Sequence, residues 1–136
     1  MGNEQVIVLD THALVWWATG DDRLSARASK AVREALRKAP VAASAISVLE
    51  IATAVRRGRL VLSRPVEAWL SDLRALPELS IEPVGFEVAS QAGAWGEAMP
   101  GDPADRLIAA TALVLGARLV TADERLARAR VVRTVW

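Results

Sequence analysis

The sequence predicts an α/β fold in which a parallel sheet carries helices on both faces. Short apolar, β-branched runs alternate with segments of helical periodicity along the chain, which is the pattern of parallel α/β sheets. The first run, residues 5–9, is continuously apolar after its first residue, as in central strands that are buried on both faces. At 136 residues the chain has room for one packed core but not for two, so we expect a single domain over residues 1–136.

Four helices and two strands are predicted in the first half of the chain. Thr11 is expected to cap the first helix, and Gly20 breaks it. Pro40 ends an amphipathic second helix, Gly58 stands at the position that often follows a helix end, and Pro65 begins the fourth helix. The predicted order is strand 5–9, helix 11–17, helix 25–39, strand 41–45, helix 47–57 and helix 65–76.

Strands and helices continue to alternate in the second half. A strand of alternating character is followed by a helical segment and then by an alanine-rich helix that Gly116 ends. The predicted order is strand 80–84, helix 86–99, helix 103–115, strand 118–121, helix 123–129 and strand 131–135.

Composition excludes several classes of protein. The net charge of +1 gives no global bias toward nucleic acid or membranes, and 0 cysteines exclude a disulfide framework and a thiolate metal site. No apolar run approaches the ~20 residues of a membrane span, and the first residues lack the basic start and apolar core of a signal peptide. We therefore expect a cytoplasmic protein that does not bind membranes.

Four acids stand where a strand-like run meets a helix-like run: Asp10, Glu50, Asp105 and Asp123. In an open α/β sheet these joins meet at one edge, where such folds bind ligands. Clustered carboxylates repel each other unless a cation neutralises them. Oxygen ligands without cysteine or clustered histidine favour Mg²⁺ or Mn²⁺, and such a site suits attack of a metal-activated water on a phosphodiester.

Helix capping is the competing explanation for each acid. Caps are satisfied equally well by serine, threonine or asparagine, yet acids recur at all four joins, which favours a shared metal site. The two roles are also compatible, because a helix N-terminus holds an anion rigidly. The possible caps are Asp10 with Thr11, a capping box of Ser47 and Glu50, a second box of Asp102, Pro103 and Asp105, and Asp123.

The ordered motifs resemble those of the PIN-domain ribonucleases, and among them the VapC-type toxins of bacterial toxin–antitoxin pairs. The resemblance spans the whole chain. Each motif alone is weak, and the ordered set is specific. The motifs are Leu9-Asp10-Thr11-His12-Ala13-Leu14 with Trp16-Trp17, Ser47-x-x-Glu50, Asp102-Pro103-x-Asp105-Arg106-x-Ile108-Ala109, and Thr121-x-Asp123.

The resemblance implies a PIN-like three-layer α/β/α fold with a central, mainly parallel five-stranded sheet. It also implies an endoribonuclease site dependent on Mg²⁺, with Mn²⁺ as a substitute. In that site Asp10 and Asp105 are the principal metal ligands, Glu50 completes the acidic centre, and Asp123 acts through water. A hydrogen bond from Ser47, or from Thr11, is expected to support the ligands.

Partners also follow from the resemblance: an RNA substrate, a small VapB-type antitoxin, a homodimer and a higher assembly with the antitoxin. The alternative is a non-catalytic PIN-like scaffold that binds RNA or protein, although such a domain should have lost some of the four acids. A two-component receiver domain fails on sequence. It needs a lysine late in the chain, and both lysines, Lys30 and Lys38, lie in the second predicted helix.

Several neighbouring residues have two possible roles. For Asp102 we favour a helix cap over metal ligation, and for His12 a structural role over metal binding or proton transfer. Arg106 could contact phosphate or pair with a neighbouring carboxylate, and the sequence does not decide between the two. Four tryptophans could stack on bases, but their helical spacing among aliphatic residues favours core or interface positions. They are Trp16, Trp17, Trp69 and Trp95.

Overall fold

The computed structural model describes residues 6–136, which form five strands and seven helices in the predicted alternation. Residue 5, the predicted start of the first strand, lies outside this range. The elements are β1 (Ile7–Leu9), α1 (Thr11–Thr19), α2 (Ala26–Leu36), β2 (Val41–Ser44), α3 (Ala45–Arg56), α4 (Val66–Ala75), β3 (Leu79–Glu82), α5 (Phe86–Ala94), α6 (Pro103–Leu115), β4 (Arg118–Val120), α7 (Glu124–Ala129) and β5 (Thr134–Val135).

The five strands form one parallel sheet in the order β3-β2-β1-β4-β5. Val8 of the central strand aligns with Ala42 of β2 and Leu119 of β4. Its neighbours Ile7 and Leu9 belong to one apolar cluster, whereas Val8 belongs to another on the opposite face. Successive strand residues point to opposite faces, so the sheet is covered on both sides. The predicted three-layer α/β/α fold is confirmed.

The topology brings the joins after β1, β2 and β4 to one edge of the sheet. The chain moves outward from β1 to β2 and β3, then returns to place β4 on the other side of β1. Such a switch point opens a crevice at the carboxyl ends of the strands. Helix α6 runs into the start of β4, so its own first turn lies back at this carboxyl edge. Within the described residues, none of the helices has the length and apolarity needed to cross a membrane.

Several predicted boundaries are corrected. The helix predicted over 25–39 ends at Leu36, and Arg37 follows it as the C-terminal cap. The helix predicted over 47–57 begins earlier, at Ala45, because the Ser44 hydroxyl accepts a 3.1 Å hydrogen bond from the Ile46 amide and caps it. The helix predicted over 86–99 ends at Ala94. The last strand, predicted over 131–135, covers only Thr134–Val135. The alternation of element types was correct in each case, and only the ends differ.

Candidate active site at the carboxyl edge of the sheet

Asp10 connects the central strand to the first helix. Its Oδ1 accepts a 2.9 Å hydrogen bond from the Ala13 amide, and its own amide donates to the carbonyl of Val120 at the end of β4. Of the two residues considered as the cap of α1, Asp10 is therefore the cap, and Thr11 is not. Burial raises the pKa of Asp10, an effect that hydrogen bonds from Thr121 and Ala13 partly offset and that the charge of Asp123 increases.

Thr11 is free to bond elsewhere because it does not cap the helix. Its hydroxyl donates a 2.5 Å hydrogen bond to Oε1 of Glu50, and it also lies 2.8 Å from the Oγ of buried Ser47. The capping box predicted for Ser47 and Glu50 was wrong, because both lie inside α3 and Ser44 caps that helix. Glu50 is thus an acid whose position capping does not explain.

Asp102 caps α6, as the sequence favoured. Its Oδ1 accepts a 3.1 Å hydrogen bond from the Asp105 amide, and Pro103 occupies the first turn. Asp105 follows in the same turn. Partial burial, and then the negative charges of Asp102, Asp123 and Glu50, raise the pKa of Asp105 from 3.8 to about 6. An acid on α3, one after β4, one on α6 and the cap of α6 therefore lie in one negatively charged region, where the other three raise the pKa of Asp105.

Asp123 caps α7 and is paired with an arginine that sequence reasoning missed. Its Oδ1 accepts hydrogen bonds from the Arg125 amide at 2.9 Å and from Nε at 3.2 Å, and its Oδ2 lies 2.9 Å from a terminal nitrogen. This guanidinium lowers the pKa of Asp123. The same nitrogen lies 3.5 Å from Oδ2 of Asp105. Arg125 therefore joins two of the four predicted site acids.

The structure thus brings Asp10, Glu50, Asp105 and Asp123 to one edge of the sheet, where their charges interact. Among residues 6–136, however, no group of three or more acidic, histidine or cysteine side chains is already arranged to hold one metal ion. Protein donors engage oxygens of all of them except Asp105, which has only the long contact to Arg125. An all-oxygen donor set of this charge fits a hard divalent cation, which would replace some of these donors.

Arg106 takes neither of the roles considered from sequence. Its five N–H groups donate to five backbone carbonyls, at distances of 2.7 to 3.4 Å. The carbonyls belong to the last turn of α5 and to the segment that leads into α6. The Arg106 guanidinium holds this segment together beyond the point at which the helix predicted over 86–99 has ended. The five carbonyls are those of Ala92, Trp95, Gly96, Met99 and Pro100.

The tryptophans lie mainly in packed positions, whereas the histidine does not. His12 is exposed, and its ring centre lies 5.6 Å from that of Trp16. Trp69 is buried, and Trp17 and Trp95 pack against the apolar clusters, as the favoured interpretation predicted. Trp16 contacts the ring of Trp136 as well.

A parallel sheet in this order, with acids at its carboxyl edge, defines a PIN-type domain, and the sequence matches the family profile of the PIN domain over residues 7–132. The chain belongs to the PIN-domain family. It is 42% identical over 134 residues to a protein named ribonuclease VapC22 from Mycobacterium tuberculosis, a match covering 96% of this chain and 98% of that relative. The chain is therefore a PIN domain of the VapC type.

Solved structures share the fold at low sequence identity. A chain of VapBC2 from Rickettsia felis, bound to a DNA fragment from the promoter, has a TM-score of 0.68 at 20% identity and covers 95% of this chain and 96% of its own. VapBC-1 from nontypeable Haemophilus influenzae gives 0.65 at 16% identity with the same coverage. FitAcB from Neisseria gonorrhoeae gives 0.60 at 23% identity, covering 94% and 95%.

Proposed function

We propose that this protein is a Mg²⁺-dependent endoribonuclease, with Mn²⁺ as a substitute, and the toxin of a VapBC-type pair. The observation that carries the proposal is the meeting of four carboxylates at the carboxyl edge, where burial, and then repulsion from neighbouring acids, raise the pKa of Asp105 to about 6. Such a cluster is costly unless it binds a cation. The ribonuclease name of a relative 42% identical to this chain supports RNA as the substrate. We propose that the protein acts on that RNA in the cytoplasm.

The acids differ in how they would hold the ion. Asp10 and Asp105 are the proposed principal ligands, Glu50 completes the centre, and Asp123 acts through water. Asp10 is held rigidly by the Ala13 amide and by its own bond to β4, which keeps one ligand fixed. A bound divalent ion would lower the pKa of a coordinated water and neutralise negative charge on the phosphate.

The surrounding side chains would orient the reacting groups. Thr11, supported by Ser47, would fix one oxygen of Glu50. We propose that Glu50 acts as the general base and accepts a proton from the attacking water. A bond forms between the water oxygen and phosphorus while the bond from phosphorus to the ribose oxygen breaks, and that oxygen leaves with the bonding pair and takes a proton from solvent water. Asp123, held by Arg125, stays at the rim of the acids.

The test is incubation of the purified full chain with total RNA in Mg²⁺, Mn²⁺ or EDTA, with the cut sites mapped. We expect cleavage in either metal, none in EDTA, and a loss of at least about a hundred-fold in Asp10→Asn and in Glu50→Gln. Glu67→Gln is the matched control, because Glu67 is an exposed acid in the first turn of α4. Full activity in EDTA or in Asp10→Asn would contradict the proposal.

Two observations favour the alternative of a non-catalytic RNA- or protein-binding scaffold. No group of metal-binding side chains is preassembled among residues 6–136, and Arg125 occupies part of the acid cluster. The same assay separates the two functions. A scaffold would bind RNA without producing new ends in either metal.

We further propose a VapB-type antitoxin as partner, with a homodimer that joins a higher assembly. The solved VapBC structures that share this fold support the antitoxin. Large apolar side chains are also exposed, among them Leu49 on α3 at 61% and Val61 beyond it at 90%. Light scattering of the chain alone, and after co-expression with a candidate VapB-type antitoxin, tests both assemblies.

A further inference from the structure

Arg125 is a surface residue whose side chain nevertheless contacts two of the acids proposed to form the site. Its side chain is 60% exposed, yet it contacts both oxygens of Asp123 and reaches Oδ2 of Asp105. The hydrogen bond to Asp123, and then the charges of Asp123, Asp105 and Asp102, raise the pKa of its guanidinium. The cation therefore lies within the field of the acids proposed to bind a metal.

The pair of Arg23 with Asp21 shows how much of this geometry is local. There too an aspartate accepts from the amide, Nε and a terminal nitrogen of the arginine two residues later, at 2.8, 3.1 and 2.7 Å. The Asp-x-Arg turn therefore explains the contacts of Arg125 with Asp123. It does not explain the approach to Asp105, which is 20 residues away and on a different helix.

We propose that Arg125 is a built-in competitor of the divalent metal, a cation that neutralises Asp105 and Asp123 until an ion takes Asp105 from it. The inference rests on the proposed function and concerns the regulation of the same site. A divalent ion bound to the carboxylate of Asp105 and the guanidinium of Arg125 would repel each other across that side chain. Metal binding is therefore expected to weaken or break the contact of Arg125 with Asp105, which is already long at 3.5 Å.

The guanidinium would remain tethered after that contact breaks. Its Nε and its backbone amide both bond to Oδ1 of Asp123, so release from Asp105 costs one long contact and leaves the rest of the pair. The exchange is thus cheap enough to occur with each binding event. Without metal, Arg125 neutralises part of the negative charge of the acid cluster.

The first test measures Mn²⁺ affinity of the full chain at pH 8 from the free-ion signal in electron paramagnetic resonance. Arg125→Gln should bind Mn²⁺ about two- to five-fold more tightly, as expected from losing an exposed ion pair. Arg128→Gln is the matched control, since Arg128 lies on the same helix, is 70% exposed and pairs with Glu124. Unchanged or weaker affinity in Arg125→Gln would overturn the inference.

The same titration separates this inference from the proposed function. A wild-type chain that binds no Mn²⁺, or an Asp10→Asn variant that binds it equally well, would contradict the metal site itself. If wild type binds and Asp10→Asn does not, the site stands, and only the comparison of Arg125→Gln with Arg128→Gln decides the role of Arg125.

A second readout is the melting temperature with and without metal. In EDTA, Arg125→Gln should melt below wild type because the acids lose their counter-charge. At saturating Mn²⁺ that deficit should disappear, because the ion replaces the lost charge and binds the variant more tightly. An equal deficit in both conditions would show that Arg125 serves only to hold the start of α7, and the inference would be wrong.

Discussion

The Thr11 hydroxyl donates a 2.5 Å hydrogen bond to Oε1 of Glu50, joining the first turn of α1 to α3 across 39 residues of sequence. The Ser47 hydroxyl lies 2.8 Å from the same threonine and one helical turn before Glu50. A hydrogen-bond donor that is itself held in place orients a carboxylate best. The hydroxyls of Thr11 and Ser47 therefore fix the orientation of the Glu50 carboxylate. The residue after the first site acid thus positions the second.

We predict that Thr11→Val lowers RNA cleavage by about ten-fold or more, as loss of a residue that orients a metal ligand usually does. The free energy of unfolding should fall by about 1 kcal/mol with the lost hydrogen bond. Thr19→Val is the control, because Thr19 lies at the other end of α1 and its hydroxyl donates only within that helix, to the Val15 carbonyl. Equal activity in the two variants would show that Glu50 does not depend on Thr11.

Local sequence features predicted the alternation of elements and the positions of the four acids. Each acid stands at a strand-to-helix join or early in a helix, and parallel topology then brings these positions together. The capping box of Ser47 and Glu50 failed because the Ser-x-x-Glu spacing also occurs inside a helix, where Ser44 three residues earlier supplies the cap. Periodicity does not distinguish a first turn from a second.

Contacts between distant segments could not be predicted. The bond of Thr11 to Glu50 and the contact of Arg125 with Asp105 depend on how helices pack, which no short motif encodes. Arg106 is the clearest case, since a basic residue beside an acid favours a charged partner, yet its partners are neutral carbonyls. The end of α5 at Ala94 was missed for the same reason.

We predict that Asp105→Asn stabilises the metal-free protein by about 1–2 kcal/mol while abolishing metal binding. The pKa of this carboxyl, raised from 3.8 to about 6, means that its ionised form is disfavoured in the folded state. A neutral amide removes that cost. The expected gain in unfolding free energy is smaller than the full pKa shift implies, because the side chain is 25% exposed and solvent screens its charge. Chemical denaturation in EDTA at pH 8 measures it. A destabilised variant would show that the pair with Arg125 outweighs the repulsion.

The same shift predicts a pH dependence of stability for the metal-free wild type. An acid whose pKa is higher in the folded state than in the unfolded state binds its proton more tightly when the protein is folded. The stabilisation that the Asp105 proton adds to the free energy of unfolding is therefore fully present below pH 3.8 and is lost as the pH rises through about 6. The decline in unfolding free energy between pH 4 and pH 6 should therefore be steeper in wild type than in Asp105→Asn. Parallel profiles for the two proteins would contradict the raised pKa.

Asp102 should act as a cap and not as a ligand. Its Oδ1 accepts from the Asp105 amide, and asparagine can make the same bond. We predict that Asp102→Asn keeps both stability and most RNA cleavage, whereas Asp102→Ala loses about 1 kcal/mol of unfolding free energy. Thermal melts and the RNA assay on both variants decide this. A stable Asp102→Asn protein that is as inactive as Asp105→Asn would instead identify a metal ligand.

Arg106 should matter for stability and much less for chemistry. Its guanidinium satisfies five carbonyls with five N–H groups, and a lysine, with three donors on one atom, cannot span them. We predict that Arg106→Lys lowers the free energy of unfolding by about 2–4 kcal/mol, because part-buried carbonyls lose charged donors.

The control for Arg106 is Arg33→Lys on α2, since Arg33 is exposed and its side chain bonds to Ser29 of the same helix. Its stability should stay within about 0.5 kcal/mol of wild type in urea denaturation. RNA cleavage, compared at equal stability, separates this structural role of Arg106 from the phosphate contact that the sequence had left open. If Arg106 only holds the segment between α5 and α6, the folded Arg106→Lys protein binds Mn²⁺ and cleaves RNA nearly as wild type does at low temperature. A variant of wild-type stability that had lost cleavage would show instead that the guanidinium contacts phosphate.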